Sequence, residues 1–201
     1  LDHDSIHGGD GDDLIYGMRG NDVLSGEGGN DRVNGGSGND TLSGGTGADN
    51  ISGGAGDDYI RSNLGSYAWV YDPLLGKYVY EYDDDTISGG AGIDTLDLST
   101  AFNNQNINLQ AGTSWFGEVT GIENLIGTAY GDYLYGSDLS NLIDGGGGND
   151  QAPGPHAWDV NTREFLAQQR LFERVYPGPG LYFIPRMADD RQGRWWYDHN
   201  Q

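Results

Sequence analysis

The 201-residue chain contains no cysteine. Disulfide frameworks, thiolate metal sites and cysteine nucleophiles are excluded together, and an oxidising compartment is permitted without being required. No apolar run approaches the ~20 residues of a membrane span. Basic residues are scarce: ten Lys and Arg stand against 31 Asp and Glu, a formal net charge of −21. Such a balance favours cationic partners and disfavours nucleic acid or an anionic membrane surface. Catalytic signatures are missing too, with no His-Glu-x-x-His, no Gly-x-Ser-x-Gly and no phosphate loop. The four histidines, His3, His7, His156 and His199, are scattered. His3 and His7 flank a repeat aspartate and read as solvent-facing, so no catalytic residue is assigned. No secretory leader is visible and the chain opens at Leu1 in mid-repeat, which reads as a piece of a longer protein.

What is present falls into two materials that meet at Asp150. Residues 151–201 carry six basic and six acidic residues, so the first 150 hold the whole net charge; they also hold 32 of the 36 glycines. The tail has five of the six prolines.

The acidic part repeats every nine residues as Gly-Gly-x-Gly-x-Asp-x-aliphatic-x. With the paired glycines as positions one and two, position six is Asp4, Asp13, Asp22, Asp31, Asp40, Asp49 and Asp58. Position eight is Ile6, Ile15, Leu24, Val33, Leu42, Ile51 and Ile60. Repeats of this kind imply a solenoid. The x-aliphatic-x triplet is a minimal strand with one inward side chain. The glycine-rich hexapeptide is a turn, whose left-handed positions suit glycine and asparagines such as Asn21, Asn30 and Asn39. Two nonapeptides make one coil, so residues 18 apart stack. The inward aliphatics then form two ladders across a thin core. Asp4, Asp22, Asp40 and Asp58 form one column of carboxylates, and Asp13, Asp31 and Asp49 the other.

One aliphatic per nine residues is little to set against the backbone entropy of ordering them, and stacked carboxylates repel. A disordered acidic linker is the bland alternative, but the strict aliphatic position argues for a fold that something else holds together. A divalent cation between successive turns reverses the repulsion. Hard carboxylate and carbonyl oxygens suit Ca²⁺, which accepts six to eight of them, and glycine keeps the turn open for carbonyls to point inward. The candidate carbonyl donors are Gly8, Gly17, Gly26, Gly35, Gly44 and Gly53 at position one and Gly11, Gly20, Gly29, Gly38, Gly47 and Gly56 at position four.

On these residues the chain resembles the RTX calcium-binding nonapeptide repeat family across residues 1–66 and 83–150. The resemblance implies an all-β, right-handed parallel β-roll holding several Ca²⁺ ions, secreted through a type I pathway and folding on extracellular calcium. It implies no active site in this chain, although relatives carry protease or epimerase domains upstream.

After Ile60 the repeat stops. Asp85 with Ile87 and Asp94 with Leu96 resume it 27 residues beyond Asp58, three whole repeats. Positions 67 and 76 would then be sites that lack a ligand. The insert, residues 67–82, reads as a β-hairpin around Asp72-Pro73-Leu74-Leu75-Gly76. Tyr67, Trp69 and Tyr71 alternate on one arm, and Tyr78, Tyr80 and Tyr82 on the other. This aromatic face either packs on a neighbour or forms a platform for sugar rings or a protein partner. Residues 97–122 are looser. Asp132/Leu134, Asn141/Ile143 and Glu123/Leu125 then resemble degenerate closing repeats with fewer or weaker sites, and Asp150 ends the last one, where the solenoid is expected to be cut in mid-unit. In the tail, Asn161 and Glu164 open an expected helix over about 161–176. The tail reads as an end cap or assembly anchor, with an export signal or an unrelated segment as the competing readings.

Overall fold

The computed structural model describes residues 3–65, 67–82, 84–151 and 157–159. The tail helix expected over 161–176 lies outside the described residues, as does the rest of 160–201. Among the described residues, regular structure is strand: β1 (Ser5–Asp10), β2 (Leu14–Arg19), β3 (Val23–Gly28), β4 (Arg32–Ser37), β5 (Thr41–Thr46), β6 (Asn50–Ala55), β7 (Tyr59–Arg61), β8 (Tyr67–Asp72), β9 (Lys77–Tyr82), β10 (Asp85–Ala91), β11 (Thr95–Asp97), β12 (Asn106–Asn108), β13 (Thr113–Ser114), β14 (Gly117–Thr120), β15 (Asn124–Ile126), β16 (Tyr133–Tyr135), β17 (Asn141–Asp144) and β18 (Ala157–Asp159).

Successive strands alternate between two sheets. One runs β1-β3-β5-β7-β11-β15-β17-β18; the other runs β16-β12-β13-β14-β10-β6-β4-β2. The register follows the nonapeptide, with Ile6 beside Leu24, Leu24 beside Leu42 and Leu42 beside Ile60, and with Ile15 beside Val33 and Val33 beside Ile51. This is a parallel β-roll. The position-eight side chains from Leu24 to Ile143 are buried and Ile6 at the open end is half-buried. A period-two strand with one inward residue can build only a core one side chain thick on each sheet.

The regular strands are longer than the expected triplet. Each runs six residues, from position seven through position three of the next unit. Position two lies inside the strand at positive φ, as at Gly36 (107°), Gly45 (115°) and Gly54 (113°). Coil stacking explains why a side chain is unwelcome there: a Cβ on Gly36 would lie 2.3 Å from the Met18 carbonyl oxygen one coil earlier. Met18 and Glu27 occupy this same position at φ 74° and 77°, the only non-glycine residues of the described chain in that region.

Asn21, Asn30 and Asn39 therefore do not serve as left-handed turn residues. They sit at position five and accept backbone N–H groups one coil on: Asn39 N donates to Asn21 Oδ1 (2.9 Å), Ala48 N to Asn30 Oδ1 (2.9 Å) and Asp57 N to Asn39 Oδ1 (3.1 Å). Asp12 and Asp57 do the same for Asn30 and Ile93, and His3 Nδ1 accepts from Asn21 N at the first coil. Short polar side chains satisfy backbone donors that a turn leaves open.

The insert forms the expected hairpin, but it does not occupy the coil. β8 and β9 pair only with each other, in a two-stranded sheet of their own. β10 pairs directly with β6, and β11 with β7. Positions 67 and 76 are thus not defective sites within the roll; the columns pass straight from Asp49 to Asp85 and from Asp58 to Asp94. The hairpin register sets Tyr67 opposite Tyr82, Trp69 opposite Tyr80 and Tyr71 opposite Tyr78. At its root Tyr82 stacks on Phe116, with ring centroids 5.8 Å apart.

Two further departures lie beyond residue 97. The loose span supplies β12, β13 and β14, where β13 runs antiparallel to both its neighbours and interrupts the second sheet. Ile107 and Val119 enter the core there without a repeat around them. Nor is the roll cut at Asp150. Gln151 bridges in parallel to Tyr133, and β18 adds a further strand beside β17.

Candidate metal centres

From Asp22 onward, each regular position-six aspartate divides its two oxygens between different tasks. Oδ1 accepts the backbone N–H of the position-six residue one coil earlier. Asp4 N donates to Asp22 (2.7 Å), Asp13 N to Asp31, Asp22 N to Asp40, Asp31 N to Asp49 and Asp40 N to Asp58 (each 2.8 Å). Across the hairpin the pattern holds, from Asp49 N to Asp85 (3.0 Å) and from Asp58 N to Asp94 (2.8 Å). Beyond it, Asp94 N donates to Glu123 Oε2 at 2.9 Å, so the longer carboxylate keeps the register. This ladder runs opposite in polarity to the position-five ladder beside it: here the later coil accepts, there the earlier one does.

The second oxygen is the notable one. Oδ2 of Asp13, Asp22, Asp31, Asp40, Asp58 and Asp94 is buried and receives no hydrogen bond. It faces a carbonyl oxygen of the following coil. An added Cβ at Gly35 would lie 2.3 Å from Asp40 Oδ2 and 2.6 Å from the Gly53 carbonyl oxygen. At Gly53 the same two distances, to Asp58 Oδ2 and the Gly89 oxygen, are 2.3 and 2.5 Å. Gly8, Gly17 and Gly26 stand in the same relation to Asp13, Asp22 and Asp31, and Gly44 lies against Asp49. Position one is therefore glycine because two oxygens occupy the space of a side chain; its φ is ordinary. The position-four glycines do something else. Gly11, Gly20, Gly29, Gly38, Gly47 and Gly56 all have positive φ, and they stack over one another, the Gly20 oxygen only 1.8 Å from where a Gly38 Cβ would be.

Two acceptors facing each other across a buried gap need a proton or a cation between them. The carboxylates register this strain. Burial pushes Asp40 and Asp94 above the usual carboxylate range, with Asp22 and Glu123 respectively adding repulsion. Asp58 is pushed up to about 6 by burial, helped by the charges of Asp40, Asp94 and Asp57 and opposed by the Asp40 N–H. Asp97 supplies the contrast. It is as deeply buried, but Ser99 N (2.9 Å), Tyr59 Oη (2.5 Å) and Arg61 Nε (3.4 Å) surround it with donors. Burial would raise it, and those donors together hold it below its ordinary value. Among the described residues no three His, Cys, Asp or Glu side chains converge on one point. Each gap offers carboxylate and backbone oxygens, a donor set that suits a hard, irregularly coordinated cation and no soft one.

The predicted carboxylates are not equivalent. Asp85 Oδ2 accepts the Ser62 hydroxyl at 2.6 Å. Asp132 accepts Gln105 N (2.6 Å) on Oδ1, Thr128 N (2.7 Å) on Oδ2 and the Thr128 hydroxyl on both. At both, protein donors reach the second oxygen. Asp4 lies exposed at the open end. Asp150 accepts Asp132 N (3.0 Å), and its Oδ2 lies 2.5 Å from the Cβ position of Gly145. Asn141 fills position six as an amide: its Oδ1 accepts Ser137 N and its Nδ2 donates to the Glu123 carbonyl (3.1 Å). Ser62 and Thr128 stand at a position one and a position two of the nonapeptide, so their signal in the sequence was a hydroxyl residue where the regular repeat has glycine.

The model of the RTX calcium-binding nonapeptide repeat matches four times, at residues 2–33, 34–67, 81–98 and 119–152, together more than half of the chain. The chain belongs to the RTX calcium-binding repeat family. A search of the curated proteins returns no match. The protein is thus a calcium-binding structural module whose repeats bind several Ca²⁺ ions, and the buried, donor-poor oxygens fit that ion. The matches omit residues 68–80 and 99–118, where the chain leaves the roll for the hairpin and where the second sheet turns antiparallel. His7 Nδ1 pairs with Glu27 at 3.0 Å on the exposed face, and His3 serves the position-five ladder, so both histidines have structural partners.

Proposed function

We propose that the roll of this RTX protein folds around calcium held between successive coils, and that it acts outside the cell as a structural or interaction module of a larger secreted or surface assembly. The observation that carries this reading is the set of buried Oδ2 atoms that face carbonyl oxygens with no donor between them. The ligands are Asp13, Asp22, Asp31, Asp40, Asp49, Asp58 and Asp94, with carbonyls of the position-one glycines Gly26, Gly35, Gly44, Gly53 and Gly89 one coil on. Asp4 and Asp150 contribute at the ends. The position-four glycines shape the turn.

The mechanism is metal-coupled folding. At low calcium the unneutralised columns repel, and the thin core cannot hold the coils together. At extracellular calcium, about 10⁻⁴–10⁻³ M, each ion replaces the missing donor and the next coil can stack. This chain's own part is to hold each carboxylate by its Oδ1 and to clear the gap with glycine. The test is far-UV circular dichroism during a calcium titration. A β-signal that rises with calcium and is lost on chelation is expected, and a fully folded chain in excess EGTA would overturn the proposal.

A second reading concerns what the module presents. Tyr78 and Tyr80 are 62% and 50% exposed on the hairpin, which favours a partner-facing surface for a protein or sugar ring over internal packing. Trp69→Ala with Tyr80→Ala should abolish binding on a glycan array or to the parent assembly while leaving calcium-dependent folding intact; loss of folding assigns the face to packing.

A further inference from the structure

Asp85 continues the second sheet's column after Asp49, yet its surroundings differ from those of every regular site. Its position-one partner by spacing is Tyr80, which lies in β9 of the hairpin, outside the roll. On the following coil its register partner is Gly117, so no carboxylate continues the column. Where the regular gap faces a glycine carbonyl, Asp85 Oδ2 instead meets the hydroxyl of Ser62 at 2.6 Å. Ser62 is itself 2% exposed. Its Oγ also accepts Leu64 N at 3.0 Å, and its own N–H donates to the Asp97 carbonyl at 3.1 Å.

Ser62 stands where the chain leaves β7 for the hairpin, and Asp85 stands where the chain returns. The bond between them therefore closes the hairpin's root. The segment between is pinned by further contacts that need no metal. Leu64 is buried in the core, Gln105 Nε2 donates to its carbonyl and Asn103 Nδ2 to that of Gly65 (both 2.8 Å). Phe116 lies against Gly65 and stacks on Tyr82. A charge-assisted hydroxyl bond supplies to Oδ2 what a cation supplies elsewhere, but as a single directed donor that closes the gap.

We infer that Ser62 takes the place of a calcium ion at Asp85, so that the second sheet's run of successive metal sites is broken after Asp49 and the root of the hairpin is fixed by protein groups. The inference rests on the calcium reading of the regular sites. Its consequence is that the presented hairpin keeps its seat on the roll through a joint that calcium does not fill.

The experiment compares calcium stoichiometry by isothermal titration for the wild type, Asp58→Asn and Asp85→Asn. Asparagine keeps the Oδ1 acceptor in both variants. Asp58→Asn should bind one ion fewer, and Asp85→Asn should bind the wild-type number. Loss of an ion in Asp85→Asn as well would overturn the inference while leaving the calcium reading intact; a full count in Asp58→Asn would instead overturn that reading. Ser62→Ala supplies an independent readout at saturating calcium. The ion count should not fall, the thermal midpoint should drop by about 2–10 °C, and amide exchange at Tyr78–Tyr82 should quicken relative to β4–β6. An unchanged midpoint with unchanged exchange would count against the clamp.

Discussion

Replacing Asp58 by asparagine separates the electrostatic cost of the gap from the hydrogen bond that shares the carboxylate. Asparagine can still accept Asp40 N through Oδ1, and its amide places a donor toward the Gly89 carbonyl. Asn141 already shows that position six accepts an amide, although there Oδ1 takes Ser137 N and Nδ2 turns to the Glu123 carbonyl of the preceding coil. In the metal-free roll Asp58 titrates near 6 against 3.8 in the unfolded chain, so ionisation of this buried group opposes folding by up to about 3 kcal/mol. The sign is fixed by linkage. Between the two pKa values the folded roll binds more protons than the unfolded chain, so apo stability falls as pH rises from about 4 to 6 and stays low above. Asp58→Asn abolishes that part of the loss. Folding the calcium-free chain with a surface-excluded osmolyte, followed by circular dichroism, should therefore need less osmolyte for Asp58→Asn at pH 7.5. The two proteins should converge at pH 3.5. In saturating calcium the order reverses, because the variant lacks one ion's worth of binding free energy. Equal osmolyte midpoints at pH 7.5, or a wild type that folds more readily there, would refute the reasoning.

Other perturbations reach different parts of the argument. Gly35→Ala puts a methyl 2.3 Å from Asp40 Oδ2 and 2.6 Å from the Gly53 oxygen; both belong to the gap, so calcium stoichiometry should fall and the calcium midpoint of folding should rise. Met18→Gly removes a side chain held at φ 74° and should stabilise the calcium-loaded roll by about 1 kcal/mol in urea denaturation. Ala48 interrupts the position-five ladder, since it donates to Asn30 but has no side-chain acceptor to offer. Ala48→Asn should therefore add about 0.5–1.5 kcal/mol by the same assay, with calcium stoichiometry unchanged.

The nonapeptide by itself determined the roll. A residue pattern with one aliphatic and one aspartate in nine has a single way to bury the first and align the second, so the two ladders, the two columns and the 18-residue stacking were all legible. Hard oxygen donors in excess likewise pointed to calcium. What spacing could not convey is which atom meets which. Position one is glycine because a carboxylate and a carbonyl fill its Cβ space, and the asparagines serve as acceptors at ordinary φ. Only the folded coil displays either fact, since both depend on contacts between residues one turn apart. The hairpin preserved a whole number of repeats, so arithmetic placed it inside the coil, whereas strand pairing sets it outside. Asp85 and Asp132 share with Asp58 the Asp-x-aliphatic end of the nonapeptide, and tertiary structure shows how they differ: Ser62 and Thr128, which stand at a position one and a position two where the regular repeat has glycine, donate to oxygens that at Asp58 receive no donor.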